Sequence, residues 1–260
     1  MVASQLRANA REILTGKWGK TALFTLCYFL IHFAITFFLS LIPIIGFIAN
    51  IIISIPISFG FSVCFMRLKR GEDIHYTDFF NVGFSNFTKV WKVCGNVALK
   101  MLVPLLLVVV FCIIYLVGMT GSIFNIFNDS INYTVSAGFG GLAIIGLIGY
   151  LASLIYLIPK GYLYALSYYV LYDNPDKSGK EIVEISESLM KGNRWNLFWL
   201  CLTFIGWAIL SILTLYIGTL WLVPYMMVSF VCFYESLTEK TTVTPNTDIN
   251  SNDDNPIQYL

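Results

Sequence analysis

Few residues of this chain combine a type and a spacing that could support catalysis or metal binding. Asp73, His75 and Asp173 could hold a metal ion, or act as an acid and a base, if the fold brought them together. Asp73 and His75 are two positions apart, which is not a recognisable ligand spacing on any regular element. The sequence therefore predicts a protein that is not an enzyme and needs no cofactor, and it leaves open whether these three residues converge.

His32 is the ionisable side chain that lies well inside an apolar run. An ionisable group within a membrane is costly and is a candidate functional residue by default. A proton relay would need an acidic partner, and the surrounding run has no Asp or Glu. We therefore expect His32 to form a hydrogen bond with a neighbouring helix, with pH sensing or partner binding as the alternative.

The six cysteines contain no CxxC pair, and most of them lie inside apolar runs. They are Cys27, Cys64, Cys94, Cys112, Cys201 and Cys232. A metal or redox site needs thiolates clustered at short spacing, so these residues are predicted to be small packing residues.

The composition requires an apolar solvent around most of the chain. Of the residues, 57% are hydrophobic and only 12% are charged, and the mean hydropathy is +0.75. Soluble domains average about 25% charged residues, so this chain could not cover its own exterior in water. The sequence predicts an all-α, polytopic membrane helical bundle with additional interfacial amphipathic helices.

The apolar runs are too long for single crossings. Residues 21–66 contain no charged residue, and one helix of that length would measure about 70 Å, more than twice a hydrocarbon core. Pro43 and Gly46 supply a break, and later runs divide in the same way. The six predicted spans lie near residues 21–40, 44–66, 101–123, 137–158, 197–216 and 218–234.

Three amphipathic segments are predicted outside these spans: residues 1–20, a helix from Phe79 to Trp91 that Thr77 would cap, and a short helix between Asp173 and Arg194. Pro159 is expected to kink the fourth span. Residues 237–260 are polar and are predicted to form a disordered cytoplasmic tail.

The 16 Lys and Arg residues can all be placed on one side of the membrane, because the connections on the other side contain none. This is the positive-inside pattern of a multi-pass protein of the cytoplasmic membrane, with both termini cytoplasmic. Cations at the ends of apolar spans face lipid headgroups rather than a groove-sized patch, which argues against a nucleic-acid partner.

The cations at the span ends are the candidate binding residues. Arg67, Lys69, Arg70, Lys191 and Arg194 are predicted to hold lipid headgroups. The predicted function is a membrane binding or accessory protein that engages lipid or an amphipathic peptide between kinked spans. Its predicted partners are membrane lipids and another membrane protein or a peptide.

Two alternatives stay open. Prolines interrupt several apolar spans, and broken helices often expose backbone at a substrate site, so a small permease for an amphipathic or weakly polar solute is the first alternative. The interrupting residues are Pro56, Pro104, Pro159 and Pro224. A membrane-embedded enzyme is the third interpretation.

Several segments resemble a known family. The run Leu189-Met190-Lys191-Gly192-Asn193-Arg194-Trp195, the run Phe204-Ile205-Gly206-Trp207 and the stretch from Gly218 to Tyr234 are similar to the bacterial membrane family named domain of unknown function 975. Tyr216 stands where the family commonly has glycine. The resemblance covers most of the chain except the tail. It implies a multi-span protein of the cytoplasmic membrane, typical of Gram-positive bacteria, and implies no reaction or ligand.

Overall fold

A computed structural model describes residues 3–42, 44–127 and 133–243, and every regular element in them is an α-helix. The helices are α1 (Ala3–Leu14), α2 (Trp18–Ser40), α3 (Ile45–Lys69), α4 (Asp78–Ser85), α5 (Phe87–Phe127), α6 (Tyr133–Leu163), α7 (Ser167–Asp173), α8 (Gly179–Met190), α9 (Arg194–Leu202), α10 (Ile205–Leu213) and α11 (Thr219–Val243).

Six helical segments among the described residues are long and apolar enough to cross a membrane. They are Trp18–Ser40, Ile45–Lys69, Phe87–Phe124, Ala137–Asp173, Arg194–Leu213 and Thr219–Glu239. The predicted all-α bundle with six spans is therefore confirmed. Pro43, the predicted break between the first two spans, lies outside the described residues.

The third span begins earlier than expected. The predicted interfacial helix from Phe79 to Trp91 is divided at Asn86, and its second half forms the start of α5. At 41 residues, α5 is about 60 Å long, so only part of it fits within a hydrocarbon core of about 30 Å. Thr77 occupies the N-cap position of α4 as predicted, but its side chain makes no capping hydrogen bond. Instead, the His75 backbone N–H donates to Asp78 Oδ2 at 3.0 Å.

Three other predicted features differ from the structure. Helix α6 continues through Pro159 to Leu163, and the chain turns only after that residue. The fifth span is divided at Thr203 and Phe204 into α9 and α10. Of the predicted disordered tail, residues 237–243 are helical as the end of α11, and residues 244–260 lie outside the described part of the chain.

The buried core is concentrated at the cation-bearing end of the bundle. Large side chains such as Phe59, Phe65 and Leu166 are fully buried there. Toward the other end, apolar side chains such as Phe33 and Leu213 are largely exposed, at 69% and 74% respectively. Exposed apolar faces of this extent are expected where hydrocarbon is the solvent.

The amphipathic segments pack against the bundle through their apolar sides. Leu6 and Leu14 of α1 are buried, and α1 contacts α9 and α11. Phe79 of α4 is buried beside α3, and Ile182 and Met190 of α8 are buried in the same core. The three segments thus complete the packed end of the protein.

Helices α5 and α6 form a hairpin that depends on glycine. A Cβ atom added at Gly118 would lie 2.3 Å from the Ala143 backbone nitrogen, and one added at Gly146 would lie 2.4 Å from the Tyr115 backbone nitrogen. Neither contact leaves room for a methyl group. Small residues that allow such close backbone approach are typical of helix pairs in membranes.

Candidate ligand-binding site

Ion pairs link three helices at the packed end. The Arg70 guanidinium binds the Asp173 carboxylate through Nη1 at 2.7 Å and Nη2 at 2.9 Å, and its Nε donates to Glu235 Oε1 at 3.2 Å. Lys69 also pairs with Glu235. The Tyr234 hydroxyl donates to Asp173 Oδ2 at 2.9 Å. These contacts join the end of α3 to α7 and α11.

Arg67 is also paired within the chain. Its Nε donates to Glu72 Oε2 at 2.6 Å, and its Nη1 lies 3.5 Å from Asp78 Oδ2. With Lys69 and Arg70, three of the five predicted headgroup residues therefore have carboxylate partners in the protein itself. Their charges are compensated, and their observed contacts connect helices. Headgroup binding by these three residues stays a prediction.

The structure gives Asp73 and Asp173 separate partners. Asp73 Oδ1 accepts a hydrogen bond from Lys20 Nζ at 2.7 Å, and that ammonium group lowers the pKa of the Asp73 carboxyl. Asp173 is bound by Arg70 and Tyr234 instead. Within the described ranges, no group of three His, Cys, Asp or Glu residues could hold a metal ion.

The expected hydrogen bond of His32 to a neighbouring helix was wrong. His32 is partly buried, and its ring lies 5.8 Å from the Tyr28 ring of the same helix. It makes no hydrogen bond to any residue in the described part of the chain. The Tyr28 hydroxyl contacts the Ser58 hydroxyl of α3 at 3.4 Å, so Tyr28 forms the contact between helices.

A tight turn positions the remaining two candidate residues. Helix α8 begins with a capping box between Ser178 and Glu181. It ends at Met190, and Gly192 follows with a φ of +85°, a left-handed conformation that favours glycine. The turn places Lys191 and Arg194 on either side of this glycine, just before α9.

Neither side chain forms a hydrogen bond or a salt bridge with another residue in the described ranges. Lys191 and Arg194 thus differ from Arg67, Lys69 and Arg70 in having no carboxylate partner. A guanidinium group offers five donors in a fixed planar arrangement that matches carboxylate and phosphate groups. Arg194 is therefore the predicted headgroup residue best placed to accept an anion from outside the protein.

Arg194 lines an apolar cavity of about 310 Å³ between α6 and α9. The other lining residues are Ile155, Ile158, Pro159, Tyr162, Trp195 and Phe198. The Phe198 ring packs edge-on against the rings of Trp195 and Tyr162, with centroids 5.4 and 6.3 Å apart. The cavity thus combines one guanidinium group with walls suited to hydrocarbon.

Further cations lie around this cavity. Lys100, Lys160 and Arg194 all interact electrostatically with the Tyr164 hydroxyl, as does Glu187. Lys100 Nζ is paired with Glu187 Oε2 at 2.5 Å, and Lys160 Nζ lies 4.9 Å from the centroid of the Tyr156 ring. The Lys100 charge is thus compensated by Glu187, whereas Lys160 directly follows Pro159 of the cavity lining.

Sequence reasoning found Arg194 but missed the cavity walls. The aromatic residues Trp195 and Phe198 stand three positions apart and so share a helix face, which is the signal that could have indicated them. Ile155 and Ile158 have the same spacing on α6. What the spacing could not show is that these two faces meet.

The helices, the exposed apolar faces and the apolar cavity together define an all-α, multi-pass membrane protein. The chain belongs to the family of proteins of unknown function designated DUF975, whose model matches residues 1–241. No curated protein and no solved structure matches the chain. Tyr216 has a φ of 65° and so adopts the left-handed conformation that favours glycine.

Proposed function

We propose that this protein is a non-enzymatic component of the bacterial cytoplasmic membrane that binds an anionic lipid between its spans. The observation that carries the proposal is the Arg194 guanidinium, which has no carboxylate partner in the described ranges and lines an apolar cavity. An anionic headgroup would bind the guanidinium, and an acyl chain would lie against the isoleucine and aromatic walls. The cavity volume of about 310 Å³ lies at the lower end of the usual range for ligand pockets, about 300–1,000 Å³.

The charge distribution supports the proposed membrane and orientation. The turn residues 41–44, the segment 124–136 and the turn 214–218 contain no Lys or Arg, whereas the opposite connections carry the cations. By the positive-inside rule, the cation-bearing end and both termini face the cytoplasm. The Arg194 cavity would then open toward the leaflet whose surface carries anionic lipid.

Lipid that copurifies with the protein tests the proposal. The double variant Lys191→Gln/Arg194→Gln removes two charges without breaking an ion pair of the structure. We expect this variant to retain about tenfold less anionic lipid per protein molecule, because it loses one charge-assisted contact. Variants of Arg67, Lys69 or Arg70 suit this test poorly, because they would also break contacts between helices.

The control is Lys177→Gln/Lys180→Gln, which removes the same charge near the start of α8, breaks only the exposed Lys180–Glu184 pair at 3.9 Å and changes no residue that lines the Arg194 cavity. Lipid would be quantified by mass spectrometry of the extracted protein. If the test and control variants retain equal amounts of anionic lipid, the proposal is rejected.

A permease for an amphipathic or weakly polar solute is the second candidate. The interruption of the fifth span at Thr203 and Phe204 favours it, because discontinuous helices often form transporter sites. Flux of such a solute into proteoliposomes that contain the protein would support this function. Flux equal to that of empty liposomes would argue against it.

A further inference from the structure

A second apolar cavity, of about 340 Å³, lies among α1, α2, α10 and α11. At one end it is lined by Arg11, Trp18 and Tyr225, and at the other by Thr214 and Gly218 of the turn between α10 and α11. Tyr225 lies seven positions after Gly218, which corresponds to about 10 Å along a helix. The cavity thus extends from the cation-bearing end of the bundle toward a turn that contains no Lys or Arg.

Arg11 is the charged residue in the lining of this cavity. Its Nη1 donates to the Tyr225 hydroxyl at 3.2 Å, and no carboxylate among the described residues forms a salt bridge with it. Tyr225 is itself buried, and the Trp18 and Phe204 rings pack against its ring, with centroids 6.1 and 5.1 Å away. The neutral hydroxyl orients the guanidinium and leaves its charge uncompensated.

The hydroxyl groups deeper in the cavity are already satisfied. Ser211 Oγ donates to the Trp207 carbonyl oxygen at 2.9 Å, and Thr214 Oγ1 donates to the Ser211 carbonyl oxygen at 3.0 Å. The Gly218 backbone N–H in turn donates to Thr214 Oγ1 at 3.1 Å. A ligand would therefore meet one anion-binding group at the Arg11 end and apolar walls beyond it.

We infer that this cavity binds a fatty acid, with the carboxylate on Arg11 and Tyr225 and the carboxyl-proximal part of the chain along Trp207, Leu210 and Trp221. One guanidinium group matches one carboxylate through paired hydrogen bonds. The cavity is at the small end of the range for ligand pockets, which suits one chain rather than two. The site shares no lining residue with the Arg194 cavity and does not depend on the function proposed for that cavity.

Tryptophan fluorescence can test this site, because three of the six tryptophans of the chain line it. The full-length protein would be reconstituted into neutral phosphatidylcholine vesicles and titrated with a fatty acid brominated on its chain, since bromine quenches tryptophan on contact. The comparison ligand is the brominated fatty alcohol of the same length. We expect saturable quenching by the acid at concentrations about tenfold lower than for the alcohol, the effect of one charge-assisted contact.

Variants locate the site. Arg11→Gln is expected to abolish the preference for acid over alcohol, and Arg11→Lys to keep part of it. Trp207→Phe/Trp221→Phe should remove most of the quenching, whereas Trp195→Phe, in the other cavity, should leave it unchanged. These tryptophan variants keep Arg11, so they test the location even if Arg11→Gln does not fold.

Three results would overturn the inference: equal quenching of the wild-type protein by acid and alcohol, an Arg11→Gln variant as selective as the wild type, or quenching that is lost with Trp195→Phe instead. The variant Lys191→Gln/Arg194→Gln separates the two sites. It should lose anionic phospholipid and keep fatty acid binding, so either proposal can fail without the other.

Discussion

The Arg70 guanidinium and the Asp173 carboxylate, 103 residues apart in the chain, form two parallel hydrogen bonds of 2.7 and 2.9 Å. The pair connects the residue after α3 to the last residue of α7, and both side chains are partly exposed, at 35% and 26%. Its neighbours Tyr234 and Glu235 extend the contact to α11. This network connects the ends of α3, α7 and α11 at the end of the protein that carries the cations.

We expect Arg70 and Asp173 to be energetically coupled. Arg70→Gln and Asp173→Asn should each lower the thermal unfolding temperature in detergent. The double variant should lower it by less than the sum of the two single decreases. Contacting charged pairs show interaction energies of about 0.5–3 kcal/mol, and partial exposure places this pair toward the lower end. A double-mutant cycle on Lys180 and Glu184, a solvent-exposed pair at 3.9 Å, is the control and should give almost no coupling. Equal coupling in both cycles would contradict the proposed role of the network.

The α5–α6 hairpin should be sensitive to a single methyl group at Gly146. Gly146→Ala would place a Cβ atom 2.4 Å from the Tyr115 backbone nitrogen, and relief of such overpacking typically costs about 1–3 kcal/mol. The matched control is Gly141→Ala on the same helix, where an added Cβ atom would have no neighbour within 4 Å. Thermal unfolding of the two variants measures the difference, and similar unfolding temperatures would argue against the close packing.

Gly192→Ala should weaken the site as well as the fold. Alanine at a φ of +85° is strained by about 1–3 kcal/mol, and relief of that strain would move Arg194 away from the cavity. We therefore expect both a lower unfolding temperature and less copurifying anionic lipid. The control is Gly206→Ala, at a helical position where an added Cβ atom would have no neighbour within 4 Å. It is expected to change neither the unfolding temperature nor the lipid content. Unchanged lipid content in Gly192→Ala would show that this turn does not position the binding residues.

The proposed orientation can be tested with single cysteines, since all six native cysteines are free and can be replaced. In a cysteine-free background, Tyr216→Cys lies in the turn without cations, and Lys177→Cys lies at the opposite end of the spans. A membrane-impermeant maleimide added to intact cells should label position 216 and not position 177. Labelling of position 177 from outside would reverse the assigned topology.

Much of the fold was predictable from the sequence because hydropathy and charge are local properties. An apolar run without charges crosses the membrane once if it is short, and must turn back if it is longer than one crossing, regardless of its neighbours. The six spans therefore follow from residue order alone. The turn around Tyr216 could also be placed, since a run of 40 residues has to reverse. Predictions from local sequence were wrong where contacts with neighbouring elements determined the structure. The Asp78 side chain, and not that of Thr77, accepts the hydrogen bond before α4, and α6 passes through Pro159 although proline removes one helical hydrogen bond there.

The sequence by itself determined the class of protein, the number of spans and the segregation of Lys and Arg to one end of them. Only the tertiary structure decided which cations are paired. Arg70 meets Asp173 across 103 residues, Arg11 meets Tyr225 across 214, and Arg194 meets no carboxylate in the described ranges, although all three arginines lie at similar span ends. The reason is physical: hydropathy acts on each residue independently, whereas an ion pair or a cavity exists only where the packing of distant helices brings particular side chains together.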